Sequence, residues 1–436
     1  MSNFKTTFTL KQHTPIIHFQ SNQAGATLRA TELKPKFDRF LKQYAFGGNI
    51  PQKYKIVEDK EAIDYKVKIE VSNITKDSIT QKIKKWNNKE KKEKISDEGF
   101  PTFFATMGDE WKKNPKYFIH SDTIKIEIIS FHTDLIQTIK EYFPKFIFET
   151  NFGTRQSKGF GSFSVIERNG KKYEYENLNY YNFTIDLNNN IDNKLFPNPK
   201  YVQNPSKYYI KQKKLFTIID IFYKSLRSGI NQQGFYFKSL LFMYAKSKGI
   251  NWDKKYLKQQ FVNLRDLEEQ RRRHNNPDIL NYNNLQKNQN VFMVRDILGL
   301  ATNQAWMKYK FNLRHPKKGD KINNKKINEN EIQRIKSPIT IKPIDIGDNK
   351  FQIYIILNEI NSEIFKYSFT ILKTTGRGKY ERIEKNINDF KMWKGFDLND
   401  YFNFIIKFDI QSHIKKKNNH FAKLLLQIYK DLKAQQ

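Results

Sequence analysis

The chain has 436 residues, and 78 Lys and Arg stand against 45 Asp and Glu, a formal net charge of +33. That imbalance carries self-repulsion which a phosphate-bearing partner would relieve. The 36 Phe and 23 Tyr add rings on which the bases of a single strand can stack, although an AT-rich genome produces the same lysine excess without any such partner. Cysteine is absent, which excludes disulfides, thiolate metal sites and cysteine nucleophiles. The start of the chain lacks the apolar core of a signal peptide, and no apolar run is long enough to span a bilayer. A cytoplasmic protein with no membrane partner and two domains is expected.

In chain order, Phe4, Thr6, Phe8 and Leu10 alternate with Lys5, Thr7, Thr9 and Lys11, the period of a half-buried strand. From Thr31 to Tyr44, Leu33, Phe37, Phe40, Leu41 and Tyr44 fall on one helical face, a helix that requires Pro35 to sit in its first turn. Tyr65, Val67, Ile69 and Val71 mark a second strand, and Lys82 to Lys94 reads as a basic, poorly periodic insertion. Ile124, Ile126 and Ile128 mark a third strand, and Leu135, Ile136, Ile139 and Phe143 a second helix. A fourth strand carries Phe163 and Val165. The resulting order βαββαβ is that of a ferredoxin-like α+β domain.

Residues 207–305 read as mainly helical, with apolar stripes through Leu215 to Leu226, Phe237 to Tyr244 and Tyr256 to Leu267. Arg271, Arg272, Arg273 and His274 close the last of these, where cations complement a helix C-terminus or contact phosphate. Lys317 to Asn330 reads as an exposed polar loop. Strand patterns return at Phe351 to Leu357 and Phe365 to Ile371, and a closing helix runs from Phe421 to Leu432. The expected division is an N-terminal ferredoxin-like domain over 1–205, a helical segment over 206–310 and a second ferredoxin-like α+β domain over 311–436.

The stretch with most functional content is Gly153-Thr154-Arg155-Gln156-Ser157-Lys158-Gly159-Phe160-Gly161-Ser162, between the second helix and the fourth strand. Glycine permits positive φ and close backbone approach, and successive N–H groups in such a turn can form an anion cradle flanked by the cations Arg155 and Lys158. A plain glycine-rich turn fits the same residues. The spacing is not a dinucleotide fingerprint, and the chain has no P-loop and no zinc-type pattern, so no cofactor or metal is expected.

Several segments resemble the RAMP superfamily of CRISPR-associated proteins. Thr9-Leu10-Lys11-Gln12-His13-Thr14-Pro15-Ile16-Ile17 is similar to their first strand and turn, Leu28 to Lys36 to the following loop and helix, and Gly153 to Ser162 to their glycine-rich loop. Arg295-Asp296-Ile297-Leu298-Gly299-Leu300, Arg334 to Ile339 and Lys342-Pro343-Ile344 resemble second-domain segments of the first subunit of the Cmr-type, type III effector complex. The resemblance implies ferredoxin-like domains and a non-catalytic place in a multisubunit antiviral complex. Its partners would be guide RNA, target RNA and other type III effector subunits. It further implies that Gly153, Arg155, Lys158, Gly159 and Gly161 contact RNA backbone. Arg29, Lys34, Lys36 and Arg39 would line an adjoining basic surface, unless they are only a helix's solvated face.

A metal-independent repeat-processing endoribonuclease is the alternative, because His serves as acid or base near neutral pH. His13, His18, His120 and His132 are the candidates, and none shows a constraining spacing. The resemblance further implies that related backbone subunits cut target RNA with an aspartate on a projecting loop; Asp97 and Asp109 lie in a long insertion but align with that loop at neither position. Phe100, Phe103, Phe104, Trp111 and Tyr117 could stack bases or dock a neighbour.

Overall fold

The computed structural model describes residues 3–18, 27–88, 90–98, 117–176, 178–188, 195–196, 199–252, 291–300, 305–308, 311–314, 320–322, 325–326, 335–375 and 382–433. The fold is mixed α/β, with several small sheets and, among the described residues, seven helices. It divides into two compact units, the first comprising 1–222, 340–356 and 416–436, the second 223–339 and 357–415.

In the first unit the elements follow the expected alternation of periods. They are β1 (Lys5–Gln12), α1 (Ala30–Tyr44), β2 (Lys66–Ser78), β3 (Gln81–Asn87), β4 (Lys92–Glu98), β5 (Tyr117–Ile129), α2 (Thr133–Glu149), β6 (Phe163–Arg168), β7 (Lys171–Lys172), β8 (Tyr181–Asp186), β9 (Lys200–Tyr201) and α3 (Lys207–Arg227), whose residues from 223 on belong to the second unit. The main sheet has the order β2-β5-β1-β6-β7, antiparallel throughout. Phe8, Leu10, Ile124, Ile126 and Ile128 project from it into a core shared with Leu33, Phe37 and Leu41 of α1 and Ile136, Ile139 and Phe143 of α2. Phe8 and Phe143 meet at 4.3 Å between ring centroids, and Phe37 meets Phe143 edge-on at 5.2 Å. Each such aromatic removes enough apolar area from water to contribute about 2–3 kcal/mol.

A second sheet completes this unit from a distant part of the chain. Its strands are β10 (Ile339–Gly347), β11 (Lys350–Leu357) and β8, in the order β10-β11-β8. Phe351 lies opposite Ile185 and Ile353 opposite Phe183, so four apolar side chains share one face. The closing helix α4 (His420–Lys433) packs there: Asp431 accepts the Thr184 N–H at 2.8 Å, and the Tyr429 ring lies 5.9 Å from that of Phe222.

The second unit holds helices at Leu240–Ser247, Leu398–Lys407 and Ile410–His413. Its four-stranded sheet joins 305–308, 311–314, 368–375 and 382–391 in chain order, all antiparallel. The Arg295 to Leu300 segment forms a turn around the buried Asp296, which accepts from Arg227 at 3.2 Å. Arg227 also donates to the Gly299 carbonyl at 2.6 Å.

Several local expectations need correction. The first helix starts at Ala30, so Pro35 falls in its second turn, where it cannot donate to the Thr31 carbonyl; Thr31 and Pro35 are both exposed. Lys82 to Lys94 belongs to a hairpin of β3 and β4, because the cross-strand partners alternate even where both faces carry lysine. Phe365 closes a 3-10 turn, and the strand there begins at Ser368. Within the polar stretch 317–330, Asp320 is buried in a bidentate pair with Arg314 at 2.6 and 2.9 Å. The stripe Tyr256 to Leu267 and the cluster Arg271 to His274 lie outside the described residues. No helix among the described residues is long and apolar enough to cross a membrane.

Candidate nucleic-acid interface

The glycine-rich loop connects α2 to β6 and wraps the turn that follows β1. The Gly161 N–H donates to the Pro15 carbonyl at 2.9 Å, Thr154 N–H to Ile17 at 2.8 Å, and Phe152 N–H to Gly161 at 3.0 Å. The Thr14 hydroxyl donates to the Gly159 carbonyl at 2.6 Å and accepts the Ser162 N–H at 2.9 Å. Two segments about 145 residues apart in sequence therefore form one hydrogen-bonded body.

Close approach explains the glycines. A Cβ on Gly161, at φ +65°, would overlap the Phe152 carbonyl, and one on Gly153, at φ +79°, would lie 2.5 Å from Ile16 Cγ1. Gly159 faces Pro343 in the same way, with 2.8 Å to its Cγ. Their amides are also engaged within the protein: Gly153 N–H donates to Glu32 Oε1 at 2.8 Å and Gly159 N–H to the Gln156 carbonyl at 3.2 Å. Phe160 is fully buried and stacks on Phe216 of α3 with centroids 3.6 Å apart.

The loop is held from beneath by β10. Lys342, fully buried, donates from Nζ to the Ile147 and Thr150 carbonyls at 2.8 and 3.1 Å, satisfying the C-terminal end of α2. Burial pushes its pKa well below the ordinary lysine value. Asn151 Nδ2 donates to Gln156 and Ile341 carbonyls at 2.7 and 2.8 Å, and the Ser162 hydroxyl to the Pro343 carbonyl at 2.7 Å.

Of the cations singled out, Lys36 reaches this loop and Lys34 does not. Two residues apart on a helix, they point to different sides. Lys36 Nζ pairs with Glu32 at 2.8 Å, donates to Gln156 Oε1 at 3.0 Å and lies 4.8 Å from the Phe152 ring centroid. Lys34 pairs with Asp38 at 2.9 Å, donates to the Ile63 carbonyl at 2.8 Å and sits over Tyr65. Arg29 is half-buried at the N-terminus of α1, where its carbonyl accepts the Glu32 and Leu33 N–H groups. Arg39 is exposed and donates to the Pro35 carbonyl at 3.2 Å. Arg155, at φ +57°, and Lys158 are half-buried at the loop's tip. Burial takes the Arg155 pKa down to about 10, partly offset by Asp220 on α3, so it stays charged at neutral pH.

The histidines divide by environment. His13 is buried; its Nδ1 accepts the Asp345 N–H at 3.1 Å, which leaves Nε2 as the donor to the Ser164 hydroxyl at 2.8 Å. Burial, then Lys342 and Lys11, depress its pKa well below the usual value. His18 is buried and donates from Nε2 to the Thr27 carbonyl at 2.6 Å. His120 is half-buried against Tyr208 at 4.7 Å, its pKa lowered chiefly by burial. His132 lies 3.9 Å from Asp64, with its ring edge-on to Tyr54. Asp97, on β4, pairs with Lys82. Tyr117 is 37% exposed at the start of β5; Asp109, Phe100, Phe103, Phe104, Trp111 and Arg334 lie outside the described residues.

Sequence reasoning missed Glu32, Gln156 and the β10 clamp. The signal for the last was present in Lys342-Pro343, the one cation of the strand, beside a proline and flanked by Ile341 and Ile344.

The family model of the Cmr1 N-terminal domain matches residues 3–230, and that of the Cmr1 C-terminal domain matches residues 236–433. The molecule is therefore a CRISPR-associated protein of the Cmr type. The chain belongs to the Cmr1 family. Among solved structures it is similar to a chain of the type III-B Cmr-beta bound to cognate target RNA and AMPPnP in the presence of ssDNA, at 11% identity over 83% of this chain and 97% of that one, with a TM-score of 0.30. It is also similar to Cmr1 from Pyrococcus furiosus in its apo form, at 11% identity over 89% and 100%, with a TM-score of 0.28. A chain of Cmr-beta bound to cognate target RNA aligns at 13% identity and a TM-score of 0.25, over 38% of this chain and 59% of that one. No curated protein matches.

Proposed function

We propose that this chain is a non-catalytic RNA-binding subunit of a type III, Cmr-type CRISPR effector complex, holding guide RNA, target RNA or both at one end of the assembly in antiviral defence. The observation that carries this reading is the two-domain family match over residues 3–230 and 236–433. The net charge of +33 supports a polyanionic partner. The strand order β2-β5-β1-β6, with α1 and α2 as its two connecting helices, supports a ferredoxin-like domain in the first unit. A second such domain is the family-level expectation for the C-terminal half, where 305–308, 311–314, 368–375 and 382–391 form an antiparallel sheet in chain order. At the loop, RNA contact falls to the side chain of Arg155, since the Gly153, Gly159 and Gly161 amides already serve the protein and the Lys158 Nζ is buried.

The hydrogen bonds at both nitrogens of His13, and the buried Nε2 of His18, favour binding over repeat processing. Purification of the tagged chain from its host tests the reading: guide RNA with a uniform 5′ tag and the other effector subunits are expected to accompany it. If neither accompanies it, the assembly reading fails. Labelled repeat RNA is expected to stay intact, and a discrete cut lost on His120→Ala or His132→Ala would establish the nuclease instead.

A further inference from the structure

The β3–β4 hairpin carries a surface that the fold does not use. Residues Gln81–Glu98 contain seven Lys against four Asp and Glu, a local excess of three positive charges. Side chains alternate across a strand, and Ile83 turns inward to be buried while Lys82, Lys84 and Trp86 turn outward. The register sets Ile95 opposite Lys84 and Glu93 opposite Trp86, so Trp86 and Ile95 are diagonal neighbours on the outer face. The third strand adds Lys200 beside Lys84.

Trp86 is 62% exposed and Ile95 59%. Single exposed apolar residues are ordinary, but a tryptophan and an isoleucine adjoining on one sheet face, beside Lys84 and Lys200, are not explained by packing. Asp97 and Glu93 pair with Lys82 and Lys200. On the reverse face Lys85 lies directly opposite Lys94, a like-charge cross-strand pair that Glu90, 3.6 Å from Lys94 Nζ, partly offsets.

We propose that this outer face, centred on Trp86 with Ile95 and Lys84, is a stacking platform for single-stranded RNA. The proposal rests on the RNA-binding reading above and adds a second contact surface to it. An unpaired base offers its π-face to the indole while its phosphate meets Lys84; in a duplex that face is covered by the next pair. On this face Lys82, Lys84 and Lys200 outnumber Glu93 and Asp97 by one, and that positive balance favours a polyanion over an apolar protein surface.

The experiment uses the full chain, a labelled 20-nucleotide oligouridylate and an RNA duplex of the same length. Trp86→Ala is expected to weaken oligouridylate binding about 5- to 150-fold, to leave duplex binding within about twofold, and to leave the salt dependence unchanged, because tryptophan carries no charge. Trp86→Phe keeps a stacking ring and is expected to retain most of the affinity; Lys84→Ala is expected to reduce the log–log salt slope by about 0.7. Oligouridylate affinity unchanged in Trp86→Ala, or an equal loss for both RNAs that Trp86→Phe does not rescue, overturns the platform alone. Co-purification of effector subunits lost in Trp86→Ala with oligouridylate affinity intact would assign the face to a protein instead, and also overturns it. A wild-type chain that binds neither RNA refutes the RNA-binding reading itself.

Discussion

Replacing Gly161 by Ala tests whether the glycine-rich loop is a clamp built into the fold. At φ +65° an alanine bears about 1 kcal/mol of backbone strain. Its Cβ would also overlap the Phe152 carbonyl, so the loop must move and two hydrogen bonds go with it, Gly161 N–H to Pro15 at 2.9 Å and Phe152 N–H to Gly161 at 3.0 Å. Each loss leaves a buried polar group costing about 1–3 kcal/mol, for a total of about 3–7 kcal/mol with the strain. Gly170→Ala is the control: it sits at φ +76° in the β6–β7 turn with nothing within 4 Å of the added Cβ, so it bears the strain alone. Native-state hydrogen exchange at the Phe152 and Ser162 amides reads the difference, which is expected to be about 2–6 kcal/mol, or a roughly 30- to 20,000-fold faster local opening. Equal destabilisation by the two substitutions would refute the clamp.

Lys342→Met removes the donor to two helix-terminal carbonyls and is expected to destabilise by about 2 kcal/mol or more near pH 9. Because burial lowers the folded-state pKa, the unfolded chain binds the proton more tightly between that value and about 10.4. Wild-type stability therefore rises with pH through this window, and the gap to Lys342→Met, followed by urea unfolding at pH 7 and pH 9, is expected to widen at the higher pH. Arg155→Ala is expected to flatten the salt dependence of single-stranded RNA binding by about 0.7 log–log units, one phosphate contact; an unchanged slope would make the loop purely structural. Glu32→Ala leaves Gly153 N–H and Lys36 without their shared carboxylate, and is expected to cost about 1–3 kcal/mol in thermal unfolding. A double-mutant cycle with Lys36→Ala is expected to show coupling above about 0.5 kcal/mol.

How far the sequence could be read depended on whether the information was local. The alternation of Phe8 and Leu10, the spacing of Leu33, Phe37 and Leu41, and the run Ile124, Ile126, Ile128 each lie within one element, and each reports a buried face without reference to the rest of the chain. The β3–β4 hairpin was hidden because lysines occupy both faces near its tip, which erases the alternation. Lys36 and Lys34 look equivalent as a sequence; only their opposite helical faces, and the Glu32 and Asp38 beside them, separate the one that latches the loop from the one that does not.

Charge, element periods and the unusual glycine spacing at 153, 159 and 161 are properties of the chain itself, and they alone determined that a basic α+β protein with a constrained loop before β6 should form. What surrounds that loop was decided in three dimensions. Thr14, Glu32, Phe216 and Lys342 come from four separate elements and meet it through hydrogen bonds, a stacked ring and a buried cation. Pairing β8 with β11, some 165 residues later, follows from covering Phe183 and Ile185 with Phe351 and Ile353. Burial of that kind depends on which apolar faces are left open once the local elements have formed, and hydrophobic periodicity records that a face exists but carries no record of its partner.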